Sequence, residues 1–222
     1  MGCDIHAAIE FRESADSPWQ ALLTPNEYFG KYGETQEFSA DLNMNRNYDA
    51  FAILANVRNG GGFAGCDTGD GFAFISEPKG IPADVSTTVV ETVLSDEHSG
   101  TWVSLQEILA FDWTRKSVHR GVVELAVFEE WDRVKEWSPI PKQYAGDMSG
   151  AGIYKVSNDE MRELLKGGGG EAVQGRPITT VEWSESYTDA SGDLWSRVVP
   201  LMLKTGTQYG YDNVRLVMDF DS

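Results

Sequence analysis

The segment Met1-Gly2-Cys3-Asp4-Ile5-His6 brings a thiol, a carboxylate and an imidazole within six residues. Asp4 and His6 are two apart, so on a strand they point to the same face, because side chains alternate with period 2. A carboxylate beside an imidazole can hold a divalent metal ion or share a proton. It can equally hydrogen-bond a loop lying over the sheet. Cys3, Ile5, Ala7, Ile9 and Phe11 make up the opposite, apolar face. That alternation assigns Cys3 to a buried structural thiol rather than to a nucleophile.

Two further groups carry chemistry. Arg46 and Arg58 flank the stretch RNYDAFAILANVR, in which Tyr48, Phe51, Ala52, Leu54 and Ala55 recur at helical spacing. A helix of that length spans roughly 18 Å, so the two arginines cannot grip one phosphate but can frame a longer anion. The plain alternative is that each pairs with one of the 35 acidic residues. Asn45, Asn47 and Tyr48 add polar groups at the helix start, where free backbone N–H groups favour anions. His98-Ser99 precedes Trp102 and offers a base or metal ligand beside a hydroxyl. Without an oxyanion hole the Ser–His pair makes no hydrolase by itself, and capping the next helix, with Trp102 in the core, is the plainer role. Asp219 lies near the end of the last predicted strand, and His119 is the remaining histidine.

The elements that must position these residues follow from periodicity. Residues 3–11 alternate as a strand, Asp16-Ser17-Pro18 turns the chain, and 19–22 returns beside it. Helices are predicted over 46–58 and about 84–94. Ser104 and Glu107 form a capping box that opens a short helix to about residue 111. Residues 121–137 carry a helical stripe of Val122, Leu125, Phe128, Trp131, Val134 and Trp137. Ser157 and Glu160 form a second capping box, and its helix ends at glycines 167–170. Residues 65–71, rich in glycine and acid, read as a loop. Residues 179–187 read as a strand, 194–203 as a helix kinked or shortened by Pro200, and 213–220 as the final strand. These elements predict one α+β domain over residues 1–222. Its central sheet is mixed or antiparallel, holds the N- and C-terminal strands, and is packed by several helices.

Composition narrows the function classes. Of 222 residues, 41% are hydrophobic and 11% aromatic, enough for a substantial core. The net charge of −17 argues against direct nucleic-acid binding and against anionic membranes. An acidic surface chiefly keeps a chain soluble; it can also mimic nucleic acid toward a host protein or attract cations. No run of about 18 apolar residues predicts a membrane span. No secretory signal precedes Asp4, and His6 breaks the myristoylation pattern that Gly2 would begin. Cys3 and Cys66 are then expected as free thiols in the cytoplasm.

The opening MGCDIH, the stretch RNYDAFAILANVR, Gly80-Ile81-Pro82, the run from His98 to Ile108 and the ending VRLVMDFD together resemble a family of bacteriophage and bacterial proteins that share the MGCDIH start. The resemblance spans nearly the whole chain, with little of it in 112–190. It implies a phage or prophage origin and a life in the bacterial cytoplasm, and it implies no particular reaction. Locally, Asp4-x-His6 is similar to the first motif of calcineurin-like metallophosphoesterases. In those enzymes the Asp and His bind metals that activate water and clamp a phosphate. By that likeness Gly69-Asp70 stands for the next motif and His98 for a later ligand. The Gly-Asn-His and Gly-His-x-His motifs of those enzymes are absent here.

Two function classes follow. One is a metal-dependent phosphoester hydrolase acting on a phosphorylated or nucleotide-like small molecule. In it Asp4, His6 and Asp219 hold a divalent ion, and His98, Arg46 and Arg58 serve catalysis. Tyr48, Ser99 and Trp102 line the substrate. The other is a non-catalytic accessory protein that sequesters a nucleotide signal or binds a host protein through its acidic surface.

Overall fold

The computed structural model describes residues 3–44, 46–60, 66–67, 71–95, 98–134, 150–167 and 175–221. Asn45, Gly69, Asp70, Trp137 and the glycines at 168–170, all singled out above, lie outside them. The strands are β1 Ile5–Phe11, β2 Gln20–Ala21, β3 Thr24–Pro25, β4 Phe38–Ser39, β5 Cys66–Asp67, β6 His98–Ser104, β7 Lys116–Glu124, β8 Ile153–Lys155, β9 Arg176–Ser186 and β10 Val214–Phe220. The α-helices are α1 Tyr48–Ala55, α2 Thr87–Thr92, α3 Leu105–Ala110, α4 Leu125–Val134, α5 Asn158–Lys166, α6 Tyr187–Ala190 and α7 Val199–Tyr209. This is an α+β fold. The chain divides into two compact units. The first comprises Met1–Val57, Ala73–Asp112 and Ser191–Ser222; the second comprises Arg58–Phe72 and Trp113–Ala190.

The first unit is built on an antiparallel sheet in the order β2-β1-β10-β6, with the N- and C-terminal strands at its centre. Ile5 faces Phe220, Ala7 faces Met218 and Ile9 faces Leu216. All six are buried, and they share one face of the sheet. Phe51 of α1 meets Phe220 edge-on at 5.3 Å, and Tyr209 of α7 stacks on Phe11 at 4.5 Å. The other face buries Ala8 and Val217 against Val89, Val93 and Trp102. Cys3 is buried, as alternation predicts.

Helix α1 is shorter than its periodicity suggests because an asparagine stops it at each end. The Asn47 side chain accepts from the backbone N–H groups of Asp49 and Ala50, and Asn56 turns left-handed at φ 57°. All eight of its residues are buried, Asp49 among them. Pro200 does not shorten its segment, which runs helical to Tyr209. It falls in the first turn of α7, where its missing N–H has no partner to lose, and a π-turn over Leu194–Val198 leads into it. The capping box of Ser104 and Glu107 opens α3.

The second unit carries a sheet ordered β5-β7-β9-β8, antiparallel except for the parallel pair β8–β9. Val123, Phe128, Met161, Val181 and Trp183 form its core, with α4 and α5 supplying Phe128 and Met161. The expected helix over 121–137 is in fact strand to Glu124 and helix only from Leu125. Alternate burial of Ser117, His119, Gly121 and Val123 shows why: period 2 satisfies the long pairing with β9. The expected loop over 65–71 contains β5, which pairs Cys66 with Gly121. Among the described residues no helix is long and apolar enough to cross a membrane.

Candidate functional site

The site grows from an irregularity in the first sheet. Between β10 and β6, Met218 pairs with Thr101 but Phe220 pairs with His98, so β6 holds one extra residue. Ser99 takes up the excess by entering the left-handed region at φ 57°. A bulge of this kind re-aims side chains, and a non-glycine residue there costs about 1–2 kcal/mol.

The bulge opens a pocket of 190 Å³ lined by His98, Ser99, Gly100, Asp219, Gly80, Ile81 and Leu94. It therefore gathers three of the residues singled out from the sequence. His98 Nδ1 lies 2.9 Å from Ser99 Oγ, and the imidazole stacks near Phe220. Asp219 is 2% exposed, and its Oδ2 accepts from Ser95 N at 2.8 Å and Ser95 Oγ at 3.0 Å. A side chain at Gly100 would meet the Ile81 side chain at 2.7 Å, so Ile81 would have to shift to admit one.

Asp4 and His6 lie on the same face as Asp219, which sits directly across from His6 in the β1–β10 register. Their partners differ from a metal centre. Arg46 grips Asp4 with a two-pronged contact, Nε on Oδ1 and Nη2 on Oδ2 at 2.7 Å. The Arg46 hydrogen bond holds the Asp4 carboxyl below its ordinary value, outweighing slight desolvation. His6 Nε2 is 3.4 Å from Asp221 Oδ2, and Asp221 Oδ1 accepts from Asp4 N at 2.8 Å. Among the described residues, no trio of His, Cys, Asp or Glu ligand atoms within 4.8 Å of one another includes Asp4, His6 or Asp219. Asp221 is the residue that the sequence reading left out. Its place two after Asp219, on the same face, is the signal that finds it.

The remaining candidates fall elsewhere. The Tyr48 hydroxyl accepts from Cys3 N at 3.0 Å and ties the chain start to α1. Trp102 is half-buried, with Lys79 Nζ 4.0 Å over its ring. Arg58 belongs to the second unit, exposed and left-handed at φ 52°. In that unit His119 Nε2 lies 3.3 Å from Glu185 Oε2, both groups buried. The His119 ring stacks on Trp183 and meets Phe72 edge-on. Periodicity gives no sign of this His–Glu pair, because β7 and β9 are joined only by the fold. No family model, curated protein or solved structure matches this chain.

Proposed function

We propose that the protein hydrolyses small phosphorylated, nucleotide-like molecules at the pocket of His98, Ser99 and Asp219, with help from a divalent cation. The observation that carries this reading is the β6 bulge, which holds Ser99 in a strained conformation and turns an imidazole, a hydroxyl and a carboxylate to one cavity. Strain that the fold must hold in place is concentrated at functional positions. Magnesium suits a site with few protein ligands, because it keeps several waters and is held by one or two carboxylates plus substrate phosphate. Asp219 is the carboxylate that would hold it, and the ion would polarise the phosphate and lower the pKa of a bound water. His98, oriented through Nδ1 by Ser99 Oγ, keeps Nε2 for the proton. We take the place of work to be the bacterial cytoplasm, on the MGCDIH resemblance.

The test is phosphate release from p-nitrophenyl phosphate and a nucleotide panel, with Mg²⁺ or Mn²⁺ and with chelator. Metal-dependent release that falls about 10²-fold or more in His98→Ala and in Asp219→Asn supports the reading. Release untouched by both substitutions, or absent with every metal, sinks it. A non-catalytic ligand-binding protein is the second reading, favoured by the engagement of Asp4 with Arg46. Binding of the same panel without turnover would select it.

A further inference from the structure

The first unit holds another cleft, of 630 Å³, whose walls include Arg12, Trp19, Lys79, Asp84, Trp102 and Arg215. It shares no lining residue with the pocket of His98. Cations and indole rings alternate through it. The Arg12 guanidinium carbon lies 4.7 Å from the Trp19 ring centre, and that of Arg215 lies 3.9 Å from Trp19 and 5.8 Å from Trp102. Lys79 covers Trp102 in turn.

These cations differ in their commitments. Arg215 is paired with Glu10 and Asp84, and Lys79 with Glu107. Arg12 has no carboxylate partner among the described residues. Its Nε donates to Asn213 Oδ1 and its Nη1 to Ala15 O, both at 3.0 Å. A guanidinium has five N–H donors, so with two spent three are left. Arg12 also stands on the wall of an adjoining 800 Å³ cleft, together with Trp19 and Asp84. In a chain of net charge −17, an arginine stacked on indole and left without a carboxylate keeps its donors for an anion.

We propose that this cleft binds a nucleoside monophosphate, in addition to the chemistry proposed at His98. Each part of that ligand meets a matching group. The phosphate takes the free N–H donors of Arg12 in the fork geometry that guanidinium offers. The base stacks over the Arg12 guanidinium at the end of the column of cations and indoles, with Trp19 backing the guanidinium. The sugar hydroxyls donate to the carboxylates at the rim, Asp84 and Asp212. Asp84 is oriented for this by Arg215 and by Trp19 Nε1, which donates to its Oδ2 at 3.0 Å. The cleft lies within the range of size that small-molecule sites occupy.

The experiment is a titration of the full chain with adenosine, guanosine, cytidine and uridine monophosphates, read by tryptophan fluorescence and by calorimetry. Chelator is present throughout, so hydrolysis is idle and failure here is separable from failure of the hydrolase reading. Saturation by at least one nucleotide is expected below about 1 mM. Arg12→Gln and Trp19→Leu should each weaken it about tenfold or more, and inorganic phosphate or the free nucleoside should bind at least about tenfold more weakly. Arg12→Lys, which keeps charge and stem but lacks the fork, should also weaken it, and guards against a folding defect in Arg12→Gln. No saturation by any of the four overturns the proposal. So does full affinity in both Arg12 variants, or phosphate binding as tightly as the nucleotide.

Discussion

Arg215 and Glu10 face each other across β10 and β1, and both are buried: the Arg215 side chain is 4% exposed and that of Glu10 0%, with Nη2 2.7 Å from Oε2. The second Glu10 oxygen accepts from Ser86 N at 2.7 Å, at the start of α2. Removing one partner of such a pair strands the other charge away from water. Arg215 keeps Asp84 as a partner if Glu10 is lost, whereas Glu10 has no second cation among the described residues, so Arg215→Met should cost about 3–5 kcal/mol in urea unfolding followed by tryptophan fluorescence. The double replacement Glu10→Leu with Arg215→Met should cost less than the single one, because no charge is stranded. A single-variant loss below about 1 kcal/mol would contradict the burial argument.

Acid should weaken the first unit in a defined window. The carboxyls of Asp4 and Asp84 are lowered from 3.8 chiefly by hydrogen bonds from Arg46 and Arg215. Glu107 is lowered from 4.5: burial alone would raise it, and hydrogen bonds from Lys79 and Ser104 overcome that. A carboxyl with a depressed folded value stabilises fully above its unfolded value and loses that contribution as pH falls through the folded one. The melting temperature should hold steady from neutral pH down to about 5 and then fall as the pH drops below about 4. Glu107→Gln should flatten the fall. A melting temperature already declining between pH 7 and 5 would contradict this assignment.

Ser99 should trade stability against function. Glycine tolerates the left-handed region without a Cβ clash, so Ser99→Gly should raise stability by up to about 1 kcal/mol. It also removes the hydroxyl bound to His98 Nδ1 and should lower phosphate release. Parallel unfolding and activity measurements check both signs, and a variant that is destabilised would show that Ser99 is not strained.

The capping box of α3 gives a smaller, local effect. Ser104 Oγ accepts from Glu107 N at 3.2 Å, while Glu107 accepts from Ser104 N at 2.8 Å. Ser104→Ala should cost about 1 kcal/mol by urea unfolding, and Ser104→Gly only a few tenths. Equal losses in the two would deny the cap its role. Ser157→Ala in the second unit lies at an exposed helix start and should cost less.

What the sequence could tell depended on range. Strand β1 was legible because Cys3, Ile5, Ala7 and Ile9 alternate against Asp4 and His6, and both capping boxes were legible because their partners lie three residues apart. The strand end of 116–124 was hidden, since Val122 and Leu125 fit helical spacing as well as β pairing, and only the partner β9 decides between them. Side-chain pairings across the fold were illegible for the same reason. Thirty-five carboxylates compete for Arg46, and nothing local selects Asp4. The bulge at Ser99 was beyond reach because it is a mismatch between two strands rather than a property of either.

Strand β1 completes its pairing only with β10, whose Arg215 follows Glu10 by 205 residues. The second unit ends at Ala190, before β10 begins. On the ribosome the second unit is thus finished while the apolar β1 still shows an open edge. Closing so long a loop costs entropy before the β1–β10 pairing rewards it, so the first unit is expected to fold more slowly than one whose strands pair locally.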